Sequence, residues 1–163
     1  DDACVDGLCA DAPDTAETCV DGGISVLDNP GFEDGVVEPW TSNGEVSLVE
    51  GIEGVFAAEV DGNVSVSQDF EPVPVSLLSS ARFWTWHAPG SGPAMSISWG
   101  YSDGTNGSTG MGGADIEDWS EIDLLPLMDP TKDLVSIQAW GYSGGSADPD
   151  LTRFDAFEFC LGP

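Results

Sequence analysis

The sequence predicts an all-β protein folded as a two-sheet sandwich. Short runs rich in β-branched and aromatic residues recur between turn signals, and no stretch keeps a convincing helical period. The segments between the runs hold much of the 21 Gly and 11 Pro. Nine such runs fit within about 140 residues, and this density of strands is typical of a sandwich.

The nine predicted strands are Gly23–Leu27, Glu45–Val49, Val55–Val60, Val64–Phe70, Ala81–His87, Ala94–Tyr101, Trp119–Leu125, Leu134–Tyr142 and Leu151–Cys160. The turn sequence at 28–31 ends the first strand, and the Pro/Gly-rich stretch 87–93 separates the fifth from the sixth. The Gly/Ser-rich segment Ser102–Gly113 is predicted to be a loop. The seventh run has a spacing that a helix also shows, but Pro126 follows closely, so we interpret it as a turn leading into a strand.

The charge balance excludes whole classes of partner. Three Lys and Arg residues stand against 30 Asp and Glu, a formal net charge of −27. Nucleic acids and anionic membrane surfaces repel such a chain. With 163 residues, 40% of them hydrophobic, the chain is nevertheless long and apolar enough to bury a core. We therefore expect the acidic residues mainly on the surface.

The four cysteines and the N-terminus predict an exported protein. The chain begins at Asp1 without Met, so we expect that a leader has been removed. Of three possible connectivities, the spacing favours Cys4–Cys9 with Cys19–Cys160. A zinc site is the alternative, but the chain has one His and the cysteine spacing fits no common zinc motif. Residues 1–18 are predicted to be an extension that carries the Cys4–Cys9 loop, and residues 19–163 the sandwich domain.

Five segments, taken in order, resemble one family. They are Leu27–Gly35 with Pro39-Trp40 after it, Val64–Phe70, Ala81–Trp86, Asp118–Ile122 and Phe154–Phe159. Their order and spacing resemble those of the secreted jelly-roll carbohydrate-binding modules appended to xylanases and cellulases, over roughly residues 24–160. The resemblance implies a two-sheet antiparallel jelly-roll β-sandwich, galactose-binding-like in fold. It also implies a non-catalytic extracellular domain that recognises a polysaccharide.

Two acidic residues fall near predicted core aromatics. Alternation puts Asp155 on the same face as Phe157, where an uncompensated carboxylate would cost several kcal/mol. In the related modules a Glu and an Asp hold a structural calcium ion, so the resemblance implies Ca²⁺ at Glu33 and Asp155. The Gly51–Gly54 turn could add carbonyl ligands. The other interpretation is that Arg153 or solvent satisfies these carboxylates.

The predicted ligand-binding residues are aromatic or planar and polar. They are Arg82, Trp84, Trp86, Gln138, Trp140 and Tyr142. Val135, Ile137 and Ala139 form the predicted core face of the second strand, so the last three of the six point outward. If both strands share one sheet, the rings form a platform for sugar rings, with Arg82 and Gln138 as hydrogen-bond donors. A protein interface and internal packing are the alternatives.

The sequence favours a protein that is not an enzyme. Gly141–Gly145 matches G-x-S-x-G, but the strand-turn-helix context is missing, and His87 precedes Ser143 whereas hydrolase order places the His last. A polysaccharide, neutral or cationic, is therefore the first predicted partner. The alternative partner is copies of the chain itself, in an extracellular filament, pilus or surface layer assembled through the N-terminal segment and the aromatic patch.

Overall fold

The protein is built from thirteen short strands in the part of the chain that the structure describes. This structure, a computed structural model, describes residues 3–5, 8–10, 19, 23–52, 54–87, 95–111, 118–142 and 151–162. The strands are β1 Ala3–Val5, β2 Leu8–Ala10, β3 Ile24–Ser25, β4 Thr41–Ser42, β5 Val46–Glu50, β6 Phe56–Asp61, β7 Ser65–Pro74, β8 Leu78–His87, β9 Met95–Tyr101, β10 Asn106–Met111, β11 Ser120–Asp123, β12 Asp133–Gly141 and β13 Leu151–Leu161. Two single 3-10 turns, Val75–Leu77 and Leu125–Leu127, complete the described elements.

Two antiparallel sheets form the sandwich. The five-stranded sheet has the order β10-β9-β12-β7-β4, and the six-stranded sheet has the order β11-β8-β13-β6-β5. The short strand β3 pairs with β13 beside this path, while β1 and β2 pair with each other as a separate hairpin. The two-sheet, antiparallel, all-β fold predicted from the sequence is therefore confirmed.

The core lies between the sheets and follows the period-two alternation of the long strands. Alternate residues of β8 and β9 are buried, Phe83 and Ile97 completely. Trp99 is 3% exposed, as its shared face with Met95 and Ile97 predicts. Phe157 of β13 packs almost parallel to Phe83, with ring centroids 5.2 Å apart. Aromatic side chains from the middle and the C-terminal part of the chain thus pack in one core.

All nine predicted strands are present, although the first shrinks to Ile24–Ser25. The predicted loop over Ser102–Gly113 is wrong, because β10 forms within it and pairs with β9 from Asn106 to Met111. Val135 is also not the core residue that alternation predicts. A β-bulge between Leu134 and Ser136 shifts the register, so that Leu134 is fully buried while Val135 is only half-buried.

The predicted Cys19–Cys160 disulfide is present. It joins residues 141 positions apart, and both cysteines are buried. In the N-terminal hairpin the backbone register sets Cys4 opposite Cys9. The side chains of that hairpin lie outside the described part of the structure, so the Cys4–Cys9 bridge and the boundary between residues 18 and 19 stay predictions.

No helix in the described residues is both long and apolar enough to cross a membrane.

Candidate ligand-binding surface and carboxylate site

The outer face of the five-stranded sheet carries an uncharged surface on a strongly acidic chain. Core residues on β9 and β12, such as Ile97 and Ile137, point inward, so the alternate positions of these strands and their neighbour β10 point outward. These outward residues, here called the polar face, are Ser96, Ser98, Gly100, Asn106, Ser108, Gly110, Ser136, Gln138 and Trp140. On the neighbouring strand β7, Asp69 stands opposite Ser136 at its margin. The polar face offers hydroxyl, amide and indole groups but no charge.

A shallow cavity of about 350 Å³ opens on the polar face, with Ser98, Asn106 and Gln138 among its lining residues. Gly100 and Ser136 also line it. A Cβ atom built on Gly100 would overlap the Ser136 hydroxyl oxygen, so glycine leaves this space open. Hydrogen-bonding groups from three strands therefore converge on one concave site.

The wall of the cavity next to the β9–β10 turn is held by one hydroxyl group. The Tyr101 hydroxyl accepts the indole N–H of Trp99 and the backbone N–H of Asp129, each at 2.8 Å. Both aromatic side chains are buried, and both residues line the cavity. The hydroxyl thereby ties β9 to the segment that leads into β12.

Lys132 stabilises the β9–β10 turn from its solvent-exposed side. Its Nζ lies 5.0 Å from the Tyr101 ring centroid and 3.1 Å from Asp103 Oδ2, and it donates a hydrogen bond of 2.6 Å to Thr105 Oγ1. The hydroxyl and backbone N–H of Thr105 also bond Asp103 Oδ1. Together with Lys132 these hydrogen bonds lower the pKa of Asp103 to about 2. Asp103 therefore stays ionised at neutral pH, and the turn keeps its geometry beside the cavity.

The opposite end of the polar face is aromatic. The rings of Trp140 and Tyr142 lie nearly parallel, with centroids 6.5 Å apart and planes 16° apart. Tyr142 is 40% exposed, and its hydroxyl lies 3.0 Å from Ser96 Oγ within hydrogen-bond distance. Gln138 donates to Ser65 Oγ at 3.2 Å. The predicted outward orientation of these three residues is confirmed.

The single aromatic platform predicted from the sequence is wrong, because its residues lie on two different sheets. Trp84 and Trp86 belong to β8 of the six-stranded sheet, whereas Trp140 belongs to β12 of the five-stranded sheet. Arg82 is not an available donor beside Gln138 either. Its guanidinium group is bound by Glu158 at 2.7 Å and by Glu121 at 3.1 Å on the other side of the sandwich.

Glu33 and Asp155 both accept hydrogen bonds from the same short turn, which joins β5 to β6. Backbone N–H groups of Val55 and Phe56 donate to the Glu33 carboxylate at 2.8–3.0 Å. Asp155 is completely buried, and its Oδ2 accepts the N–H of Ile52 at 2.7 Å. Backbone N–H groups, rather than Arg153, therefore supply hydrogen bonds to both carboxylates. Arg153 pairs instead with Glu59 at 2.7 Å.

Backbone strain flanks both carboxylates. Phe32, just before Glu33, has φ +62°, and Ala156, just after Asp155, has φ +48°. Residues with a side chain rarely adopt this left-handed conformation, and such strain is concentrated at functional sites. The N–H of Ala156 donates to Asp155 Oδ1 at 2.7 Å. A residue in the left-handed conformation thus stands next to each carboxylate.

Carboxylate oxygens are the ligands that a hard cation prefers, and each oxygen of these two carboxylates also accepts a backbone N–H. Two carboxylates approach Gly51 and Gly54 so closely that a Cβ on Gly54 would overlap the Glu33 carboxylate, and one on Gly51 would crowd both Asp155 Oδ2 and the Phe56 carbonyl oxygen. Calcium takes such carboxylate and carbonyl oxygens. Within the described ranges no three His, Cys, Asp or Glu side chains cluster, so further ligands would be main-chain carbonyls or water.

His87 is a core residue at the end of β8. It is 5% exposed, its Nδ1 lies 3.2 Å from Thr152 Oγ1, and its Nε2 has no hydrogen-bond partner in the described structure. Burial lowers its pKa below the ordinary value. Ser143 of the G-x-S-x-G match lies outside the described residues.

The buried imidazole of His87 predicts a specific dependence of stability on pH. Because its pKa is lower in the folded than in the unfolded protein, its contribution is complete above pH about 6.5 and is lost as the pH falls below that value. We expect the free energy of unfolding of the wild type, minus that of His87→Gln, to decrease from pH 7.5 to 5.5 by at most about 1.4 kcal/mol per pH unit. Urea unfolding across this range measures the difference. A difference that stays flat or rises on acidification would contradict the assignment.

Comparisons with known proteins identify the fold. No family model matches the sequence, and neither does any curated protein. Among solved structures, the module TmCBM61 in complex with β-1,4-galactotriose is 22% identical, with a TM-score of 0.55 over 85% of this chain and 99% of that one. A family 16 carbohydrate-binding module is 13% identical, with a TM-score of 0.59 over 81% and 96%.

One similar structure is part of an enzyme. The enzymatically active domain of tailspike protein 4 from bacteriophage CBA120 is 11% identical, with a TM-score of 0.60 over 85% of this chain but only 21% of that one. Taken together, the matches show that this chain has the β-sandwich fold of carbohydrate-binding modules. The resemblance drawn from the sequence motifs is thereby confirmed at the level of fold.

Proposed function

We propose that this chain is a non-catalytic extracellular carbohydrate-binding domain that holds a neutral polysaccharide on the polar face. The observation that carries the proposal is the combination, on one sheet, of a stacked Trp140–Tyr142 pair with an uncharged cavity lined by Ser98, Asn106 and Gln138. The similar modules support it through the fold alone. The Cys19–Cys160 disulfide supports an oxidising, extracellular location.

The chemistry of the polar face suits sugars. Flat indole and phenol rings stack on the C–H faces of pyranoses, while planar amides and hydroxyl groups bond the sugar hydroxyls. The two functions are arranged along β12, since Gln138 and Trp140 are outward residues two positions apart, a spacing of about 7 Å. A chain of sugar rings that runs along β12 can therefore meet the amide group and the aromatic pair together.

The charge of the protein selects the ligand. With a formal net charge of −27, the chain repels acidic polysaccharides, and the polar face holds no cation to offset this repulsion. A neutral polymer meets no such penalty. The net charge therefore excludes acidic glycans, and because the polar face itself has no charge to pair with a cationic one, the proposal is a neutral glycan.

Replacing Trp140 by alanine is expected to weaken polysaccharide binding about ten-fold or more, because the exposed stacking surface of the site is removed. Affinity electrophoresis against a panel of neutral and acidic polysaccharides identifies a ligand, and isothermal titration measures the change. Trp84→Ala is the matched control, since it removes the same indole from the opposite sheet. The proposal fails if no neutral polysaccharide binds, or if the control loses as much affinity as Trp140→Ala.

We also propose that Glu33 and Asp155 hold a structural calcium ion at the Gly51–Gly54 turn. The ion would supply a positive charge between two carboxylates that belong to distant parts of the chain. Its role would be to fix the turn, and with it the pairing of β5 and β6, at the side of the six-stranded sheet.

Millimolar calcium is expected to raise the melting temperature of the wild type, and EDTA to reverse the rise, since an ion bound only by the folded state stabilises it. Glu33→Gln should abolish most of the rise. Glu38→Gln, an exposed acid of the same segment, should leave it intact and so controls for the general effect of cations on an acidic protein. Equal rises in all three proteins, or with magnesium as with calcium, would contradict a specific site. Neither result bears on the polar face.

A further inference from the structure

The outer face of the six-stranded sheet is a second surface with a different chemistry. Its outward residues on β8 and the neighbouring strands, here called the tryptophan–arginine face, are Glu59, Arg82, Trp84, Trp86, Glu121, Asp123, Arg153 and Glu158. Two of the three cationic residues of the chain are here. This face lies across the sandwich from the polar face, so the proposed polysaccharide site makes no use of it.

The tryptophan–arginine face already holds two guanidinium groups of the protein's own side chains, those of Arg82 and Arg153. The Cζ atom of Arg153 lies 4.2 Å from the centroid of the Trp86 ring, and its Nε lies 2.7 Å from Glu59 Oε2. A cation over an indole, with a carboxylate beside it, is a favourable arrangement for a guanidinium group. The tryptophan–arginine face thus contains one complete example of a cation site, occupied from within the chain.

Trp84 has the elements of a similar site without an occupant from the described chain. It is half-buried and lies between Arg82 and Trp86 on the outward side of β8. In the described part of the structure its indole makes no ring contact and no cation–π contact, and its N–H makes no hydrogen bond. Glu121 stands opposite it in the β11 register, with a side chain 37% exposed. A half-buried ring is therefore presented at the centre of the face beside Glu121, whose partly exposed carboxylate also pairs with Arg82 at 3.1 Å.

The charge of the surrounding residues determines which kind of group can bind over the Trp84 indole. The face has four carboxylates, those of Glu59, Glu121, Asp123 and Glu158, against two guanidinium groups that are already paired. The rest of the chain is strongly negative as well, so an incoming group that adds positive charge is attracted and a second copy of the chain is repelled. Uncharged sugar hydroxyls, unlike a cation, would leave this excess of negative charge in place.

We infer that the tryptophan–arginine face docks a cationic segment of a partner protein, with an arginine or lysine side chain of the partner over the ring of Trp84 and beside Glu121. Tryptophan and arginine are the residues most enriched at the energetic centres of protein interfaces. The domain would then hold a polysaccharide on one sheet and a basic protein segment on the other. The inference does not depend on the proposed function, because the two surfaces are separate.

The test is isothermal titration of the full chain with a short peptide of alternating arginine and glycine, at about 0.15 M salt so that long-range attraction is screened beyond about 8 Å. Trp84→Ala is expected to weaken binding about five- to ten-fold, as loss of a partly desolvated cation–π contact does. Trp140→Ala, on the other sheet, should bind as the wild type does. Melting temperatures of all variants verify that they fold.

A second pair of variants keeps the test valid if Trp84→Ala does not fold. Glu121→Gln should weaken binding of the arginine peptide, whereas Asp69→Asn, which removes one exposed acid from the margin of the polar face, should not. The inference is overturned if the peptide binds equally to both members of each pair, because the attraction is then the general field of an acidic protein. It is also overturned if a peptide of alternating glutamate and glycine binds as tightly.

Discussion

Replacing Cys19 and Cys160 together by serine is expected to lower the free energy of unfolding by about 5 kcal/mol. The disulfide closes a loop between residues 141 positions apart, so it removes a large part of the conformational freedom of the unfolded chain. Domains of this size are stable by only about 5–15 kcal/mol, which means that the variant should be marginal at room temperature. Urea unfolding without reductant measures the difference.

Serine at both Cys4 and Cys9 is the matched control. These residues are partners in the β1–β2 hairpin, which forms a sheet separate from the sandwich, and a bridge between them would close only a short loop. We expect this double variant to change the unfolding of the sandwich much less than the Cys19 and Cys160 replacement. Equal losses in the two variants would show that the long bridge does not act through the loop that it closes.

The existence of the strands and the faces of their residues could be read from the sequence because alternation is a local property. Alternation places Phe83 and Trp99 on core faces and Trp84 and Trp140 on outward faces, and the burial of each agrees. Register shifts are the exceptions, among them one beside Val135 and one between Asp155 and Glu158. Each breaks the alternation, and no local signal in the sequence marks it.

The partition of the strands between sheets could not be read in this way. Whether β8 lies beside β12 depends on pairings between segments far apart in the chain, and β8 instead takes β11 and β13 as neighbours. Trp84 and Trp140 have the same local pattern, an aromatic ring on an outward position. Nothing in the sequence of either strand indicates to which of the two sheets it belongs. The predicted platform therefore divided into two surfaces of different charge.

A signal for the cavity is present in the sequence of β9. Ser96, Ser98 and Gly100 alternate with the apolar core positions of β9, so their small polar side chains could have been predicted to form an outward surface. The wall formed by Asn106 gives no such signal, because its strand β10 is rich in glycine and serine, which are typical of loops. The glycine at 107 is present for another reason, since it leaves room for the buried indole of Trp99.

The resemblance implies one site at Glu33 and Asp155, and the structure does bring both to the same turn. Alternation predicts Asp155 on the core face with Phe157, which is wrong. A register shift between Asp155 and Glu158 separates the two residues, and Asp155, opposite the outward Trp84, is nevertheless completely buried. The partners that it finds there, the backbone N–H groups of Ile52 and Ala156, could not be predicted, since they depend on the path of a turn 103 positions away and on a strained residue.

Replacing Gly107 by alanine is expected to destabilise the protein by about 2–3 kcal/mol, because a Cβ atom at this position would overlap the indole of Trp99. Trp99 is buried at 3% exposure and donates its N–H to Tyr101, so it has no free space into which to move. The displacement would also disturb the cavity on the polar face. We therefore expect Gly107→Ala to lose polysaccharide affinity as well as stability.

Gly110→Ala is the control for this prediction, since it makes the same chemical change in the same strand. The nearest atom to its added Cβ is the Met95 carbonyl oxygen at 3.4 Å, an ordinary contact, so the change should cost well under 1 kcal/mol. Thermal unfolding of both variants gives the comparison. If Gly107→Ala and Gly110→Ala have the same melting temperature, the indole does not pack against β10. The Gly/Ser-rich segment would then be the loop that its composition indicates. If only Gly107→Ala is destabilised, that segment is a strand because Trp99 requires a glycine opposite it.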